Sequence, residues 1–314
     1  MKHNSIIVAV GFALAGALLA APAQAQNGRS FVSGHGSDAA ACTLAAPCRT
    51  FAAAFAATNA SGEIDVLDPA GYGALTINKA ISIVNDGVGT AGVIVPWYGY
   101  GIIINAGTND AVSLRGLSIE GGGVGSIGIK FNSGASLTVE NCVIRHMAQD
   151  GIDFYSTATS ALTVSNSLIA DNAGTGIFII PTGSATAVFN RVEVNNNAIH
   201  GILVDGQSSA SANTVNATVS ESVAAGNGMV GFYSATQSGS APTRLMVFHS
   251  VAANNGTGIA AFGIGGTLRL ANSTVTGNTY GWQVQTSGVV DSYGDNYIDG
   301  NGTNTGSLTP IARQ

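Results

Sequence analysis

Four side chains capable of acid–base chemistry lie within two residues of glycines in a repeated part of the sequence: Asp150, Asp153, His200 and Lys130. Carboxylate and imidazole groups can act as general acid and base, and a lysine with a lowered pKa can abstract a proton. Asp150 and His200 each immediately precede a glycine that is followed by isoleucine. A side chain that only holds a turn also suits this position, so the elements that carry these residues decide between the two roles.

The glycines recur through most of the chain and define a repeat. Short runs of β-branched residues precede them, as in LTVENCVI and LTVSNSLI, and no repeat contains a helical period. A strand-rich repeat of this length indicates a solenoid, in which each coil buries its apolar side against the next. We predict an all-β parallel β-helix of about 8–10 coils, with spacings of 23–30 residues between these glycines: Gly101, Gly128, Gly151, Gly176, Gly201, Gly231, Gly258 and Gly281.

A second regular feature is an asparagine a few residues before the repeat glycine. Asparagine tolerates the left-handed backbone conformation that a sharp corner needs, and stacked side-chain amides can form hydrogen bonds from coil to coil. We therefore predict that these residues form a structural ladder at one corner of the solenoid: Asn172, Asn197, Asn227, Asn255 and Asn278.

The N-terminus has the pattern of a targeting segment. A positively charged start, an apolar run over residues 6–21 and the sequence Ala23-Gln24-Ala25 fit a signal peptide cleaved after Ala25. No second long apolar run follows, so we expect an exported chain (extracellular, cell-surface or periplasmic) without a membrane span. The predicted division is a signal peptide, 1–25; a lead-in strand, disulfide loop and short capping helix, 26–63; the β-helix, 64–298; and a polar C-terminal cap, 299–314.

Composition and the positions of the cysteines limit the kinds of partner, disulfide and metal site that the chain can have. Charged residues make up 9% of the chain, and the net charge is −6 without a basic run, which argues against a nucleic-acid partner. Cys42 and Cys48 are close enough in an exported chain to form a small-loop disulfide. Cys142 lies at an inward strand position and is expected to remain a buried free thiol. Cysteine and histidine lack metal-binding spacings, so no metal site is predicted.

Strand alternation places one set of side chains on the outer face of the strand that follows each repeat glycine. Lys130 and Asp153 are neighbours there, and we expect a cross-strand ion pair. The apolar members form a stripe, which is typical of a contact surface: Tyr155, Phe178, Ile180, Leu203, Tyr233 and Phe262. Either a glycan stacks on this stripe, or the long loops 206–216 and 235–243 cover it. A second aromatic cluster, residues 97–100, could be buried by a wide first coil.

The segments FVSGHGSDAAACTLAAPCRTFAAAFAA, GEIDVLDPAGYGALTINKAISI and GIIINAGTNDAVSLRGLSIEG resemble the opening of exported bacterial right-handed parallel β-helix proteins of the pectin-lyase-like superfold. The resemblance covers nearly the whole chain after the signal peptide. It implies the right-handed fold and export. It leaves activity open, because the superfold includes lyases, hydrolases, epimerases and non-catalytic adhesins.

Two segments also resemble motifs of polygalacturonase-like hydrolases: residues 149–153 (QDGID) and, two coils later, 199–202 (IHGI). The coil between them reads AGTG at 173–176 and has no carboxylate there. Hydrolysis with inversion needs an acid and a base about 6.5–9.5 Å apart, and Asp150 has no carboxylate partner on the adjacent coil. A lyase would need a lysine or arginine base and clustered carboxylates for calcium.

These observations favour an exported protein that binds or scaffolds through one outward strand face, with an extracellular polysaccharide or cell-surface glycan as its partner. No cofactor is expected for that function. The alternative is an enzyme on uronate polymers, a lyase or epimerase before a hydrolase, and calcium is expected only under the lyase alternative. Asp150 and His200 are assigned to turns. An open groove that gathers Asp150, Asp153, His200 and Lys130 would favour the enzyme, whereas a dry face covered by loops would favour a scaffold.

Overall fold

The computed structural model describes residues 27–313, so the predicted signal peptide lies outside the described residues. The chain winds into a right-handed parallel β-helix. Strands of successive coils pair in parallel and in register, for example Leu137 with Leu162 and Ile152 with Ile177. Each coil contributes one strand to each of three sheets, which we call A, B and C.

The three sheets contain the following strands. Sheet A has twelve: Asn27–Val32, Thr58–Val66, Ile81–Val84, Ala111–Arg115, Ser136–Glu140, Ser160–Ser165, Ala185–Asn190, Val215–Ser220, Thr243–Phe248, Gly266–Ala271, Val289–Ser292 and Thr309–Pro310. Sheet B has ten: Leu75–Ile77, Tyr100–Asn105, Ile127–Ser133, Ile152–Phe154, Ile177–Ile179, Ile202–Asp205, Val230–Ala235, Thr257–Phe262, Tyr280–Gln285 and Thr303–Thr305. Sheet C has ten: Ala70–Gly71, Ala91–Ile94, Leu117–Glu120, Val143–Arg145, Leu168–Ala170, Glu193–Asn195, Val223–Ala225, Val251–Ala253, Thr274–Thr276 and Tyr297–Asp299.

The core consists of stacked columns of inward side chains. On sheet B, one such column is fully buried from coil to coil: Ile102, Ile129, Ile152, Ile177, Ile202, Phe232 and Ile259. In the next inward column, the rings of Phe131 and Phe154 stack with their centroids 4.4 Å apart. Because every coil packs on the one before it, most inward strand positions carry apolar side chains along the stack, which explains the alternation in the sequence.

The N-terminal end is closed by one helix, Phe51–Ala57, which buries Phe51 and Ala54. Thr50 caps the helix by accepting a hydrogen bond from the Ala53 N–H. The helix ends at Ala57, and residues 59–62 lie within the next sheet A strand, Thr58–Val66, which pairs with a strand on each side. Beside the helix, Cys42 and Cys48 form a disulfide, as predicted.

The C-terminal segment continues the coil. Within residues 299–314, predicted as a polar C-terminal cap, Thr303–Thr305 and Thr309–Pro310 extend sheets B and A. The Asn301 side chain supplies the continuity, because its oxygen accepts hydrogen bonds from the main chain and side chain of Asn278. Across residues 27–313, no helix is long and apolar enough to cross a lipid bilayer.

The asparagine ladder lies at the corner between sheets C and B. Each amide donates to the side-chain oxygen of the asparagine in the next coil at 2.8–3.0 Å, through Asn172, Asn197, Asn227, Asn255, Asn278 and Asn301. The expected left-handed backbone, however, occurs one residue earlier: Asp171, Asn196, Gly226, Asn254 and Gly277. The prediction of left-handed ladder residues was wrong in this respect, because the inward amide requires the ladder residue to follow the turn.

Candidate functional site

The outer side of sheet B, called the sheet B face below, carries the side chains singled out in the sequence. Lys130 pairs with Asp153 in the next strand, and Phe178 pairs with Leu203. The first outward column reads Ile103, Lys130, Asp153, Phe178, Leu203, Tyr233, Ala260 and Gln283. The apolar stripe and the ion pair therefore share one continuous surface.

A further outward column lies immediately before the repeat glycines, and sequence reasoning missed it. At Gly151, an added Cβ would lie 2.4 Å from Ile169 Cγ2 and 2.7 Å from the Gly176 carbonyl oxygen. The glycine therefore lies against the interior and the next coil, and the preceding residue lies on the face. This column contains Tyr100, Ile127, Asp150, Thr175, His200, Val230, Thr257 and Tyr280. The glycine itself was the signal that could have revealed it.

A charged cluster occupies the N-terminal half of the face. Lys130 Nζ lies 2.9 Å from Asp153 Oδ2 and 5.5 Å from the ring centroid of Tyr100. Asp153 is only 8% exposed, and its other carboxylate oxygen has no hydrogen-bond partner among the described residues. The ion pair predicted from the sequence is present, but its carboxylate is buried and not exposed to solvent.

Asp150 belongs to the same cluster and also holds the corner. Its Oδ1 accepts a 2.6 Å hydrogen bond from the Thr175 N–H in the next coil. Burial raises the pKa of the Asp150 carboxyl, and the negative charge of Asp153 raises it further, whereas the Thr175 hydrogen bond and Lys130 act in the opposite direction. One carboxylate thus supports the turn and adds negative charge to the face.

His200 lies apart from that cluster. Its Nδ1 accepts a hydrogen bond from the Val230 N–H at 3.3 Å, and its ring packs against Tyr233 with centroids 5.1 Å apart. Burial lowers the pKa of His200 to about 4, so the imidazole is neutral at neutral pH. The structure therefore gathers Lys130, Asp150 and Asp153, but not His200, into one group.

The apolar stripe is half-buried along most of its length. Tyr155 is 38% exposed and Leu203 only 7%, whereas Phe178, Ile180, Tyr233 and Phe262 are intermediate. The two long loops pair with each other, through the bridge between Ala210 and Ser240 and the contact of Gln237 Nε2 with Gln207 Oε1 at 2.9 Å. Gln207 and Gln237 line the same cavity as Leu203 and Tyr233. The loops therefore partly enclose the centre of the stripe, whereas Tyr155 at its end remains accessible to solvent.

That cavity has a volume of about 150 Å³ and is lined by Tyr233, Phe262, Asp205, Gln207 and Gln237 among others. Asp205 is 7% exposed, and its Oδ1 accepts a 2.8 Å hydrogen bond from the Gln207 N–H. Burial raises the pKa of Asp205. The pocket thus combines two aromatic side chains with one carboxylate and two amides.

The second aromatic cluster is exposed, in contrast to the alternative in which the first coil buries it. Trp97 and Tyr98 are 73% and 75% exposed, and their rings stack with centroids 5.4 Å apart. Tyr98 has a left-handed backbone (φ 53°) and donates its N–H to the Val124 carbonyl. This corner leads directly into the strand that begins with Tyr100, so it adjoins the charged cluster.

Metal ligands are not grouped in the described part of the chain. Within residues 27–313, no set of three or more His, Cys, Asp or Glu side chains has an arrangement that could hold a metal ion. Asp150 and Asp153 are engaged by Thr175 and Lys130, respectively. The described residues therefore do not fit the calcium ion that the lyase alternative would require.

Comparisons with known proteins agree with this architecture. Residues 66–223 match the family model described as "Right handed beta helix region". None of the curated protein sequences matches the chain. Pectate lyase Pel9A has a similar structure, with a TM-score of 0.66 and 18% identity over 91% of this chain and 81% of that one. An alginate lyase from Paenibacillus sp. str. FPU-7 has a TM-score of 0.63 and 12% identity over 90% and 99%. The family match covers half of the chain, which therefore belongs to the right-handed β-helix family.

Proposed function

We propose that this protein binds a polysaccharide along the sheet B face and serves as an exported binding or scaffolding protein. The observation that carries the proposal is the apolar stripe, whose side chains project from five consecutive coils between Tyr155 and Phe262. Adjacent coils are about 4.8 Å apart, so the stripe extends about 19 Å. A surface of this length offers several equivalent contacts to a repeating polymer.

The chemistry of the face suits sugars. Aromatic rings present a face of negative potential to polarised C–H groups such as those on a pyranose, and Tyr155, Phe178 and Tyr233 offer such rings. Amides at both ends of the face, Asn132 and Gln283, can exchange hydrogen bonds with hydroxyl groups. The names of the two similar structures, a pectate lyase and an alginate lyase, support a polysaccharide ligand on this fold. The disulfide is typical of exported proteins.

The enzyme alternative has weaker support. A uronate lyase or epimerase would use Lys130 or a neighbour as a base, yet Lys130 is held by Asp153 at 2.9 Å. Asp150 is held by the Thr175 N–H, and His200 lies against Tyr233 instead of joining them. Each group with acid–base chemistry therefore has a structural partner, and the geometry supports binding better than turnover.

The binding proposal is tested with Tyr233→Ala and Phe262→Ala, measured by affinity electrophoresis and calorimetry against a panel of soluble polysaccharides. We expect each substitution to weaken binding by about 1–3 kcal/mol, roughly 5- to 150-fold, as for an aromatic anchor lost from a contact surface. Phe248→Ala is the matched control, because Phe248 is a partly exposed phenylalanine on sheet A. Equal losses in all three variants, or no glycan bound by the parent protein, would contradict the proposal.

The enzyme alternative is tested on the same protein with uronate polymers. Lyase activity creates unsaturated uronates that absorb in the ultraviolet, and epimerase activity changes the sugar composition of the polymer. We expect neither change. If the parent protein forms either product and Lys130→Met and Asp150→Asn abolish it, the protein is an enzyme, and the assignment of Asp150 to the corner alone is wrong.

A further inference from the structure

We infer that the polysaccharide held on the sheet B face is uncharged and is not a polyuronate. This inference rests on the proposed function and adds the chemical class of the ligand. The two structurally similar proteins are named for pectate and alginate, which are polymers of acidic sugars, so the inference separates this chain from them. Three features of the face carry it: its charge balance, the engagement of its one cation, and the chemistry of the central pocket.

The charge balance is negative. Among the strands of sheet B and the residues immediately before the repeat glycines, all within the described residues, Lys130 is the only lysine or arginine. Three carboxylates lie on or beside the same face: Asp150, Asp153 and Asp205. Three negative groups against one positive group leave an excess of two negative charges. A polymer with one carboxylate on every sugar would meet this excess along its whole length, and like charges brought together at an interface are unfavourable.

The one cation is not free to recruit a uronate. Lys130 Nζ forms its ion pair with Asp153 Oδ2 at 2.9 Å, and the two side chains are only 26% and 12% exposed. If a uronate drew Lys130 away, Asp153 would become a buried charge whose two oxygens both lack partners, since its Oδ1 already has none among the described residues. Breaking a buried pair in this way is strongly destabilising. Lys130 therefore neutralises Asp153, and Asp150 and Asp205 have no ion-pair partner among the described residues.

The chemistry of the central pocket also favours a neutral sugar over a uronate. Among the described residues, the Gln207 N–H is the only hydrogen-bond donor to the Asp205 carboxylate. An ionised carboxylate accepts hydrogen bonds but cannot donate them. A sugar hydroxyl can donate to Asp205 while the rings of Tyr233 and Phe262 flank the pocket. A uronate carboxylate in the same place would bring two acceptors and two negative charges together in a partly enclosed site.

The experiment compares each polyuronate with its own carboxyl-reduced, neutral derivative, so that linkage and chain length are matched. Polygalacturonate, polymannuronate, polyguluronate and polyglucuronate form the four pairs, measured at pH 8 and low ionic strength. In the pair that binds best, we expect the neutral polymer to bind on the order of tenfold or more tightly than its parent. Added salt should narrow the gap, because screening weakens repulsion between charges that are accessible to solvent.

The matched variant is Asp205→Asn, which keeps the shape of the side chain and removes its charge. It should improve binding of the acidic polymer relative to the neutral one, whereas Asp291→Asn, on the outer face of sheet A, should leave the ratio unchanged. A polyuronate bound as tightly as its neutral derivative, or more tightly, overturns the inference while the proposed function stands. Binding of none of the eight polymers, nor of any neutral glycan in the wider panel, overturns the proposed function and the inference together.

Discussion

The asparagine ladder and the sheet B face are formed by the same coils. The ladder has the same residue type in every coil, whereas the residue type on the face differs from coil to coil. In the ladder, each inward amide must donate to the coil above and accept from the coil below, so only a side chain with both groups continues it. On the face, Lys130 and Asp153 depend on each other, whereas the apolar side chains of the stripe do not need a particular neighbour. The solenoid is thus uniform where it is buried and free to vary where it meets a ligand.

The most direct test of this difference is the same substitution at two adjacent positions, Asn255→Gly and Asn254→Gly. Asn255→Gly removes a ladder side chain that bonds the Asn227 N–H and the Ala224 carbonyl. Each buried group left without a partner costs about 1–3 kcal/mol, so we expect a loss of about 4 kcal/mol. Asn254 is exposed and has φ 56°, which glycine adopts easily. Asn254→Gly should therefore be neutral or stabilising, measured by urea unfolding.

A pH titration tests His200, which lies on the face but is buried like a ladder residue. Its pKa is about 4 in the folded protein and 6.5 ordinarily, so the unfolded chain takes up a proton first as the pH falls. The contribution is complete above pH 6.5 and is lost on acidification to about 4, a change on the order of 3 kcal/mol. His200→Thr, which introduces the residue found at this position in the preceding coil (Thr175), should remove that part of the pH dependence. An unchanged slope would show that the imidazole titrates normally.

The disulfide stabilises the N-terminal segment, which lies before the repeated coils. Closing a loop with a sequence separation of 6 should stabilise the fold by about 2 kcal/mol in the chain-entropy description. The double variant Cys42→Ser/Cys48→Ser should lose about this amount in urea unfolding. Cys142→Ser is the control, because Cys142 is buried and its N–H already bonds a serine at the equivalent position of the next coil. Thiol labelling of the native protein should detect no reactive thiol, and labelling of Cys42 or Cys48 would contradict the pairing.

The smallest effect is expected on the face itself. Phe178 is half-buried and outward, so Phe178→Ala should reduce the free energy of unfolding by only about 1 kcal/mol. Phe154, in the adjacent strand, is fully buried, and Phe154→Ala should cost about 3–5 kcal/mol. Similar losses in the two variants would mean that the stripe is part of the core and is not free for a ligand.

The sequence by itself determined the repeat, the fold class, the disulfide and the register of the first outward column. These features follow from local rules: glycine spacing, strand alternation and the chemistry of stacked amides. The ladder positions were also readable, because an asparagine recurs once per coil, three or four residues before the repeat glycine. Their backbone conformation was not, since the turn places the left-handed residue one position earlier.

Only the tertiary structure decided which side chains share a site. Sequence reasoning treated Asp150 and His200 as equivalent residues before a glycine, yet stacking places one against Lys130 and Asp153 and the other against Tyr233. The long loops were expected either to cover the stripe or to leave it open, and their pairing with each other makes them a wall of one pocket. Contacts between coils and between loops depend on residues 23–30 positions apart or more, and no local pattern records how such distant side chains fill the space between them.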